Sequence, residues 1–262
     1  MDASVLLATY NRNDILTKTL QGFCNMDTSG IEWELLVVDN ACRNDTCQLL
    51  QSFKNRLPIV NLEESKPGKS SAINSALLLT AADLIVLADD DIIPAKGWLK
   101  KILEGEKRWP DCHFFGGRIL PRLPPGLSLP PIVDIEHPFT KAAYVIADWG
   151  EPEGPIKFGR IWGCNMAMRK TILDAGFLFN TKVGPIDGKH YATGCETELL
   201  KRAYDAGYKG VYLPSAVVEH QIRPEQLSVN WLLGRAYKSG KGQAVIHKGR
   251  LGKSSKILGK PQ

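Results

Sequence analysis

In the first third of the chain, short runs of apolar residues alternate with stretches in which apolar residues recur at helical spacing. Short apolar runs have the length of buried strands, and between them apolar residues recur three and four positions apart, as on one face of a helix. Four such runs stand at residues 4–8, 33–38, 59–62 and 84–88. Strands that alternate with helices predict an α/β fold with a mostly parallel central sheet and helices on both faces.

The regular pattern stops between Pro121 and Pro155. The segment PRLPPGLSLPP has too many prolines for a helix or a central strand, because proline lacks the backbone N–H that both structures use. We expect a long loop here, and long loops in compact domains are usually functional.

Regular elements are again predicted in the last third of the chain. A helix closed by Gly207 precedes strand-like runs within residues 210–220, and a last amphipathic helix is predicted over residues 227–237. The chain is thus expected to hold one domain over residues 1–234 and a basic tail over residues 235–262.

Polar residues follow three of the predicted strands. The strand ends read Thr9-Tyr10-Asn11-Arg12, Asp39-Asn40 and Asp89-Asp90-Asp91. Ligands of open parallel sheets bind outside the carboxyl ends of the strands, so these residues are predicted to border a site. Asp and Asn also start turns and cap helices, which explains Asn11 and Asn40 but not three adjacent acids.

The acidic triplet has the spacing of a cation site. Adjacent carboxylates repel one another, and in an extended backbone Asp89 and Asp91 project to the same side. Two oxygen ligands with open positions suit Mg²⁺ or Mn²⁺ that also binds phosphates. The triplet is therefore predicted to hold a metal, with a solvated surface cluster as the alternative. Without metal, removal of one of these charges is expected to be neutral or stabilising.

Composition favours an intracellular protein. The 262 residues contain no apolar run near the ~20 residues that span a bilayer, and MDASVLLATY lacks the basic start of a signal peptide. The six cysteines form no CxxC pair, which predicts reduced thiols and a cytoplasmic location, free or at the inner face of the membrane.

The net charge of +5 is unevenly distributed. Eight Lys or Arg residues and no acid follow Gly234, so that residues 1–234 carry a net charge of −3. Nucleic-acid binding is not predicted, because basic and aromatic residues are not interleaved on a folded face. The tail is expected to serve attachment rather than chemistry, as a solvated segment or in contact with an anionic membrane.

Six motifs stand in a specific order along the chain. They read ATYNR, VVDNAC, GKSSAINSAL, LADDDIIP, GCNMAMRK and GCETELLKRAYDAGYKGVYLPSAVVEH. Together they resemble the motifs of inverting family 2 glycosyltransferases, which have the GT-A fold. The resemblance covers the chain from Ser4 to about Tyr237.

The resemblance implies a reaction and its components. A sugar would pass from a nucleotide-sugar, expected to be a UDP-sugar, to a hydroxyl of a glycan or of a lipid-linked acceptor, as in polysaccharide synthesis. Mn²⁺ or Mg²⁺ would assist, and a carboxylate would be the general base. Residues 1–120 would form the nucleotide-binding half and residues 121–234 the acceptor-binding half.

The resemblance also assigns roles to individual residues. Asp39 would contact the base, and Asp89 the ribose or the metal. The implied nucleotide-sugar site comprises Thr9, Tyr10, Asn11, Arg12, Asp39, Lys69, Asn74, Asp89 and Asp90. The implied metal ligands are Asp89, Asp91 and His220, and the implied general base is Glu196.

The sequence departs from the family pattern at three positions. Cys195 stands where a first acid is common, Glu196 replaces a shorter Asp, and Ile73 stands where Arg is common. The start of a helix lowers the pKa of a carboxylate, so nearby acids or burial are expected to raise that of Glu196. Glu198 and Asp187 are the alternative bases.

Two other functions remain open at this point. A nucleotidyltransferase would share the sheet and the metal, although ATYNRND lacks the Gly-rich basic signature expected after its first strand. A nucleotide-sugar or glycan-binding module without catalysis is compatible with Cys195 and Ile73. His220 alone would usually be an ordinary hydrogen-bonded histidine, and Trp149 and Trp162 either pack in the core or stack on a sugar.

Overall fold

The computed structural model describes residues 1–40, 45–186 and 191–254, with side chains described as far as residue 246. In this part of the chain nine strands form one sheet with helices on both faces. The strands are β1 (Ala3–Thr9), β2 (Trp33–Asn40), β3 (Ile59–Glu64), β4 (Leu84–Ala88), β5 (Ile92–Pro94), β6 (Phe114–Arg122), β7 (Gly154–Pro155), β8 (Asn165–Arg169) and β9 (Gly210–Gln221). The helices are α1 (Asn13–Cys24), α2 (Thr46–Phe53), α3 (Lys69–Leu77), α4 (Trp98–Arg108), α5 (Pro138–Tyr144), α6 (Thr171–Asp174), α7 (Cys195–Asp205) and α8 (Val229–Ser254).

The strand order is β3-β2-β1-β4-β8-β6-β9-β5, and β7 pairs separately with β9. The first four strands run parallel, whereas β8 is antiparallel to both of its neighbours, β4 and β6. The predicted α/β class is confirmed, but the sheet is mixed rather than mostly parallel. The parallel half ends at β4, whose carboxyl end delivers the acidic triplet.

Apolar side chains of the strands point alternately to the two faces of the sheet and form an apolar layer on each. In β1, Val5 and Leu7 point to one face of the sheet and Leu6 to the other, and all three are buried. Helices α1, α2 and α4 cover the first face, and α3, α6 and α7 cover the second. A third, smaller cluster joins α5 to α8 through Ala143, Tyr144, Ile146, Ile222 and Leu232.

The predicted long loop between Pro121 and Pro155 is only partly a loop. β6 continues to Arg122, a helix forms at Pro138–Tyr144, and β7 ends at Pro155. Proline fits at Pro138 because it is the first helical position, where the N–H has no intrahelical partner. The prediction treated each proline as a breaker and missed this helix.

The last helix is much longer than the predicted one. α8 continues through the glycine-rich stretch to Ser254, so the predicted boundary after residue 234 falls inside it. A Cβ on Gly242 would lie 2.0 Å from the carbonyl oxygen of Thr193, so glycine is what lets the helix approach this backbone. None of the helices in the described part of the chain is long and apolar enough to cross a bilayer.

Candidate active site

A cavity of about 930 Å³ opens at the carboxyl ends of β1 and β4. The start of α7 and one stripe of α8 complete its walls. Its volume is near the upper end of the ~300–1,000 Å³ typical of ligand pockets. The position is the one predicted for ligands of a parallel sheet.

Most of the residues proposed from the sequence line this cavity. Those that do so are Thr9, Tyr10, Arg12, Lys69, Asp89, Asp90, Asp91, Glu196 and His220. Asn11, Asp39 and Asn74 are not part of the lining. Asn11 forms the turn after β1 with φ of 53°, a conformation that asparagine tolerates. Asp39 is the last but one residue of β2 and stands in register with Thr9.

Asn74 has a clear structural role. Its side-chain amide donates to the carbonyl of Phe179 at 2.9 Å and accepts from the N–H of the same residue at 3.0 Å. This pair of bonds fixes the segment before α7 against α3. Asn74 thus links two segments next to the cavity without lining it, and its assignment to the nucleotide-binding site stays a prediction.

The side chain of Asp90 is held in place by two groups. It accepts hydrogen bonds from Thr9 Oγ1 at 2.8 Å and from Arg12 Nη1 at 2.6 Å. Burial raises the pKa of Asp90 to about 6, although the Arg12 guanidinium opposes this shift. The neighbouring carboxylates raise the pKa of Arg12 and outweigh the effect of its own burial.

Asp91 lies among three nitrogen groups. Its oxygens are 3.2 Å from Arg12 Nη1, 3.7 Å from Arg223 Nη1 and 3.5 Å from His220 Nε2. Burial alone would raise the pKa of Asp91, but His220 and the two guanidinium groups hold it well below the usual range. The positive charges around the triplet are thus basic side chains of the protein itself. The metal is not required to relieve the repulsion, contrary to the sequence argument.

His220 is oriented by its second ring nitrogen. Nδ1 lies 2.8 Å from the carbonyl oxygen of Tyr144, so it carries the proton and donates. Nε2 then faces Asp91, and the pKa of His220 is raised because Asp91 outweighs the effect of burial. β9 places the residue here, since His220 stands opposite Ile92, the residue after the triplet.

Lys69 connects the triplet to the proposed base. Its Nζ lies 2.6 Å from Asp89 Oδ1 and 2.8 Å from Glu196 Oε1. Burial raises the pKa of Glu196, but the Lys69 ammonium and the hydrogen bonds around the carboxylate lower it to about 2. The expectation that the pKa would be raised is therefore wrong for the protein without a ligand.

Two neighbours accommodate the departures at residues 195 and 196. The Cys195 Sγ lies 3.1 Å from Glu196 Oε2, and burial raises the pKa of this thiol well above its usual value. A neutral S–H can donate to the carboxylate, whereas a second acid would repel it. A Cβ on Gly163 would lie 2.3 Å from Glu196 Oε1, so the absence of that atom provides the room for the longer side chain.

The alternative bases are less favourably placed or not described. Glu198 lies outside the cavity lining and accepts from Arg202 at 2.8 and 2.9 Å. Asp187 lies outside the described residues.

Several cavity residues were not predicted as site residues. They are Arg223, Trp231, Arg235 and Lys238, and Trp162 also lines the cavity while packing edge-on against Trp149. Arg223 follows the last strand by two positions, a signal that the sequence did contain. The contribution of α8 was hidden by its glycines.

The triplet and its neighbours offer only part of the ligand set of a divalent cation. No group of three or more His, Cys, Asp or Glu residues in the described chain is arranged to hold a metal. However, Oδ1 of Asp91 is buried without a hydrogen bond, and His220 Nε2 lies 3.5 Å from it. One carboxylate and one imidazole suit a cation whose other ligands come from phosphates and water.

Comparisons with known proteins find similarity to glycosyltransferases. Residues 4–119 match the model of the glycosyl transferase family 2. The probable glycosyltransferase YdaM of Bacillus subtilis (strain 168) is 25% identical over 251 residues, which are 93% of this chain and 56% of YdaM. The chain therefore spans little more than half the length of that relative.

Two solved structures share the fold. A structure of S. aureus TarS 1-349 in complex with UDP-GlcNAc has a TM-score of 0.63 at 18% identity, covering 85% of this chain and 59% of that one. The mannosyltransferase PcManGT of Pyrobaculum calidifontis, in complex with GDP-Man and Mn²⁺, has a TM-score of 0.66 at 18% identity, covering 99% and 66%. The chain therefore has the GT-A fold of these two glycosyltransferases. Residues 4–119, less than half of the chain, thus match glycosyltransferase family 2, the family that the motifs resemble.

Proposed function

We propose that the chain transfers a sugar from a nucleotide diphosphate to a hydroxyl group, with inversion at the anomeric carbon. The observation that carries this proposal is that one cavity holds both a largely buried carboxylate, Glu196, and three cationic side chains around the acidic triplet, Arg12, Lys69 and Arg223. Cations stabilise a departing diphosphate, and the carboxylate can take the proton of the acceptor hydroxyl.

The donor would bind at the ends of β1 and β4. Tyr10 and Arg12 follow β1 and line the cavity beside the triplet, and Arg223 adds a buried Nη1 without a hydrogen bond. Such an unsatisfied donor is costly unless a ligand supplies an acceptor, and a diphosphate has several. A UDP-sugar is the proposed donor. TarS with UDP-GlcNAc and PcManGT with GDP-Man support a nucleotide-sugar in general.

The proton transfer requires a change at Lys69. A carboxylate with a pKa of about 2 is a weak base, since a good general base has a pKa nearer the working pH. An incoming diphosphate offers Lys69 a new anionic partner, and loss of the contact with Lys69 raises the pKa of Glu196. Donor binding thus makes Glu196 a better base, because its burial raises its pKa further once Lys69 has moved away.

Mn²⁺ or Mg²⁺ is proposed to bind at the acidic triplet, on the side away from Glu196. Asp91 and His220 would hold the ion, and Asp89 could join them once Lys69 moves to the diphosphate. When bound, the metal would neutralise charge on the leaving diphosphate.

The acceptor is proposed to be a hydroxyl of a glycan or of a lipid-linked molecule. Trp162 lines the cavity and has an aromatic face suited to a sugar ring. The cavity volume leaves room for an acceptor beside the nucleotide-sugar.

The test is a product assay with a panel of donors. UDP-GlcNAc, UDP-glucose and GDP-mannose are incubated with the protein and Mn²⁺, and release of nucleoside diphosphate is measured with and without sugar and polyol acceptors. The anomeric configuration of the product is read by NMR. A donor that binds without release of nucleoside diphosphate under any condition would overturn the proposal in favour of a binding module. Consumption of pyrophosphate would indicate a nucleotidyltransferase.

A further inference from the structure

One stripe of α8 forms a wall of the cavity. Trp231, Arg235, Lys238 and Ile246 line it at helical spacing, together with Ser239 and Gln243. The helix is held close to the proposed base, because the N–H of Thr193 lies 3.4 Å from the carbonyl oxygen of Lys238. Gly242 makes the close contact with the same backbone possible. This stripe therefore stands beside the start of α7, where an acceptor hydroxyl must arrive.

The charges on this stripe are not balanced by the acids of the cavity. Asp89 and Glu196 pair with Lys69, and Asp90 and Asp91 pair with Arg12. No carboxylate of the described side chains lies within 4.0 Å of a side-chain nitrogen of Arg235 or Lys238.

The side chain of Lys238 is nevertheless held in a defined position. Its Nζ lies 4.4 Å from the centroid of the Tyr191 ring, a contact that orients the ammonium without neutralising it. Arg235 is half-buried, one turn away on the same wall. An arginine and a lysine that share a cavity wall attract an anion, and the planar guanidinium matches the oxygens of a phosphate in pairs.

We propose that the acceptor of this enzyme carries a phosphate ester, which Arg235 and Lys238 hold while its hydroxyl faces Glu196. This inference rests on the proposed function and adds the chemical class of the acceptor. A neutral sugar can accept hydrogen bonds from these two groups but does not balance their charges, and the donor diphosphate already has Arg12, Lys69 and Arg223. Both a lipid headgroup and a water-soluble phosphate ester have the required chemistry.

The first test measures binding of sn-glycerol 3-phosphate and of glycerol by calorimetry, to protein saturated with UDP or GDP so that the diphosphate site is filled. We expect glycerol 3-phosphate to bind and glycerol not to bind. Arg235→Gln and Lys238→Gln should each weaken the binding by about tenfold, the scale of a hydrogen bond to a charged group. Arg235→Lys keeps the charge but not the paired hydrogen bonds, so its affinity should lie between those of the parent and Arg235→Gln. Lys241→Gln is the matched control, because Lys241 is on the same helix but outside the cavity lining.

The second test uses vesicles of phosphatidylcholine with and without phosphatidic acid, in a sedimentation assay. If Arg235 and Lys238 are needed for binding to phosphatidic acid vesicles, the phosphate belongs to a lipid headgroup. If they are needed only for binding of glycerol 3-phosphate, it belongs to a water-soluble ester. Binding that Lys241→Gln weakens equally, or no dependence in either arm, overturns the inference. So does a loss of UDP and GDP affinity in Arg235→Gln as large as the loss of phosphate-ester binding, because the two residues would then hold the donor.

Both arms are also run without nucleotide. A parent protein that binds no nucleotide or nucleotide-sugar would overturn the proposed function alone. A parent protein that binds nucleotide but no phosphate ester would overturn this inference alone.

Discussion

Lys69 Nζ lies 2.8 Å from Glu196 Oε1 and so joins the start of α3 to the start of α7 across the candidate active site. The pKa of Glu196 is about 2 in the folded chain, against about 4.3 for an unperturbed glutamate. A lowered pKa in the folded state means that the unfolded chain binds the proton more readily. The ion pair therefore contributes stability that is present above about pH 4.3 and is lost as the pH falls towards 2.

Lys69→Met should make acid unfolding less steep. Without the ammonium, the pKa of Glu196 rises, and up to about 3 kcal/mol of pH-dependent stability between pH 5 and 2 disappears. The measurement is denaturant unfolding of the parent and variant at several pH values. Lys101→Met serves as control, since Lys101 pairs with Glu104 on the surface and should change little. Equal pH slopes for parent and Lys69→Met would contradict the assignment.

Glu196→Gln should reduce turnover by roughly 10²–10⁴, the range for loss of one general base. The amide keeps the size and can still accept from Lys69, so donor affinity should stay nearly unchanged. Turnover and donor affinity are measured on the same preparation. Glu198→Gln is the matched control on the same helix, outside the cavity and next to Arg202. Near-parental turnover of Glu196→Gln would transfer the role of base to Glu198 or Asp187.

Asp91→Asn should destabilise the protein even without metal. The carboxylate lies among Arg12, Arg223 and His220, so the change removes the counter-charge of a buried histidine and of two partly buried guanidinium groups, at a cost of about 2–4 kcal/mol. This reverses the expectation from the sequence that loss of a charge from the triplet is neutral or stabilising. The same variant should lose the Mn²⁺-dependent part of donor binding. Urea unfolding and UDP titration with and without Mn²⁺ measure both effects, and an unchanged unfolding midpoint would refute the electrostatic account.

The sequence predicted those parts of the fold that local pattern determines. The apolar runs of β1 and β4 predicted that Thr9 and Asp89 stand at strand ends, and the structure brings them to one cavity. The ion partners could not be predicted this way. Lys69 and Glu196 are 127 positions apart, and only the packed tertiary structure shows that they touch.

The C-terminal helix shows where the local pattern misleads. Glycine costs a helix about 1 kcal/mol relative to alanine, so a glycine-punctuated stretch suggests a tail. In the folded chain the same glycines have different roles. Gly242 allows contact with Thr193, whereas a Cβ on Gly240 would meet no atom within 4 Å. Tertiary packing thus compensates for the low helix propensity at residue 242.

Gly242→Ala should destabilise the protein while Gly240→Ala stabilises it slightly. Both changes gain up to about 1 kcal/mol of helix propensity. Only at residue 242 would the new Cβ lie 2.0 Å from a backbone oxygen, which must push α8 away from the loop before α7 at a cost of about 1–3 kcal/mol. Thermal unfolding and turnover of the two variants are compared directly. Truncation after Gly240 should also lower turnover, because it removes this contact. Equal melting temperatures for the two alanine variants would show that α8 is not docked there.

Gly163→Ala should displace the proposed base without unfolding the protein. The added Cβ would lie 2.3 Å from Glu196 Oε1 and 2.5 Å from its Cγ, so the flexible side chain must move away from its present position. Because a misplacement of about 1 Å at a reacting group can reduce the rate about 10²-fold, turnover should fall steeply while the melting temperature changes little. Gly159→Ala is the matched control, since Gly159 lines the same cavity with no atom within 4 Å of a built Cβ. Combination of Gly163→Ala with Glu196→Asp shortens the base by one methylene and should recover part of the lost turnover. If the double variant is as inactive as Glu196→Gln, the room at residue 163 does not determine where the base stands.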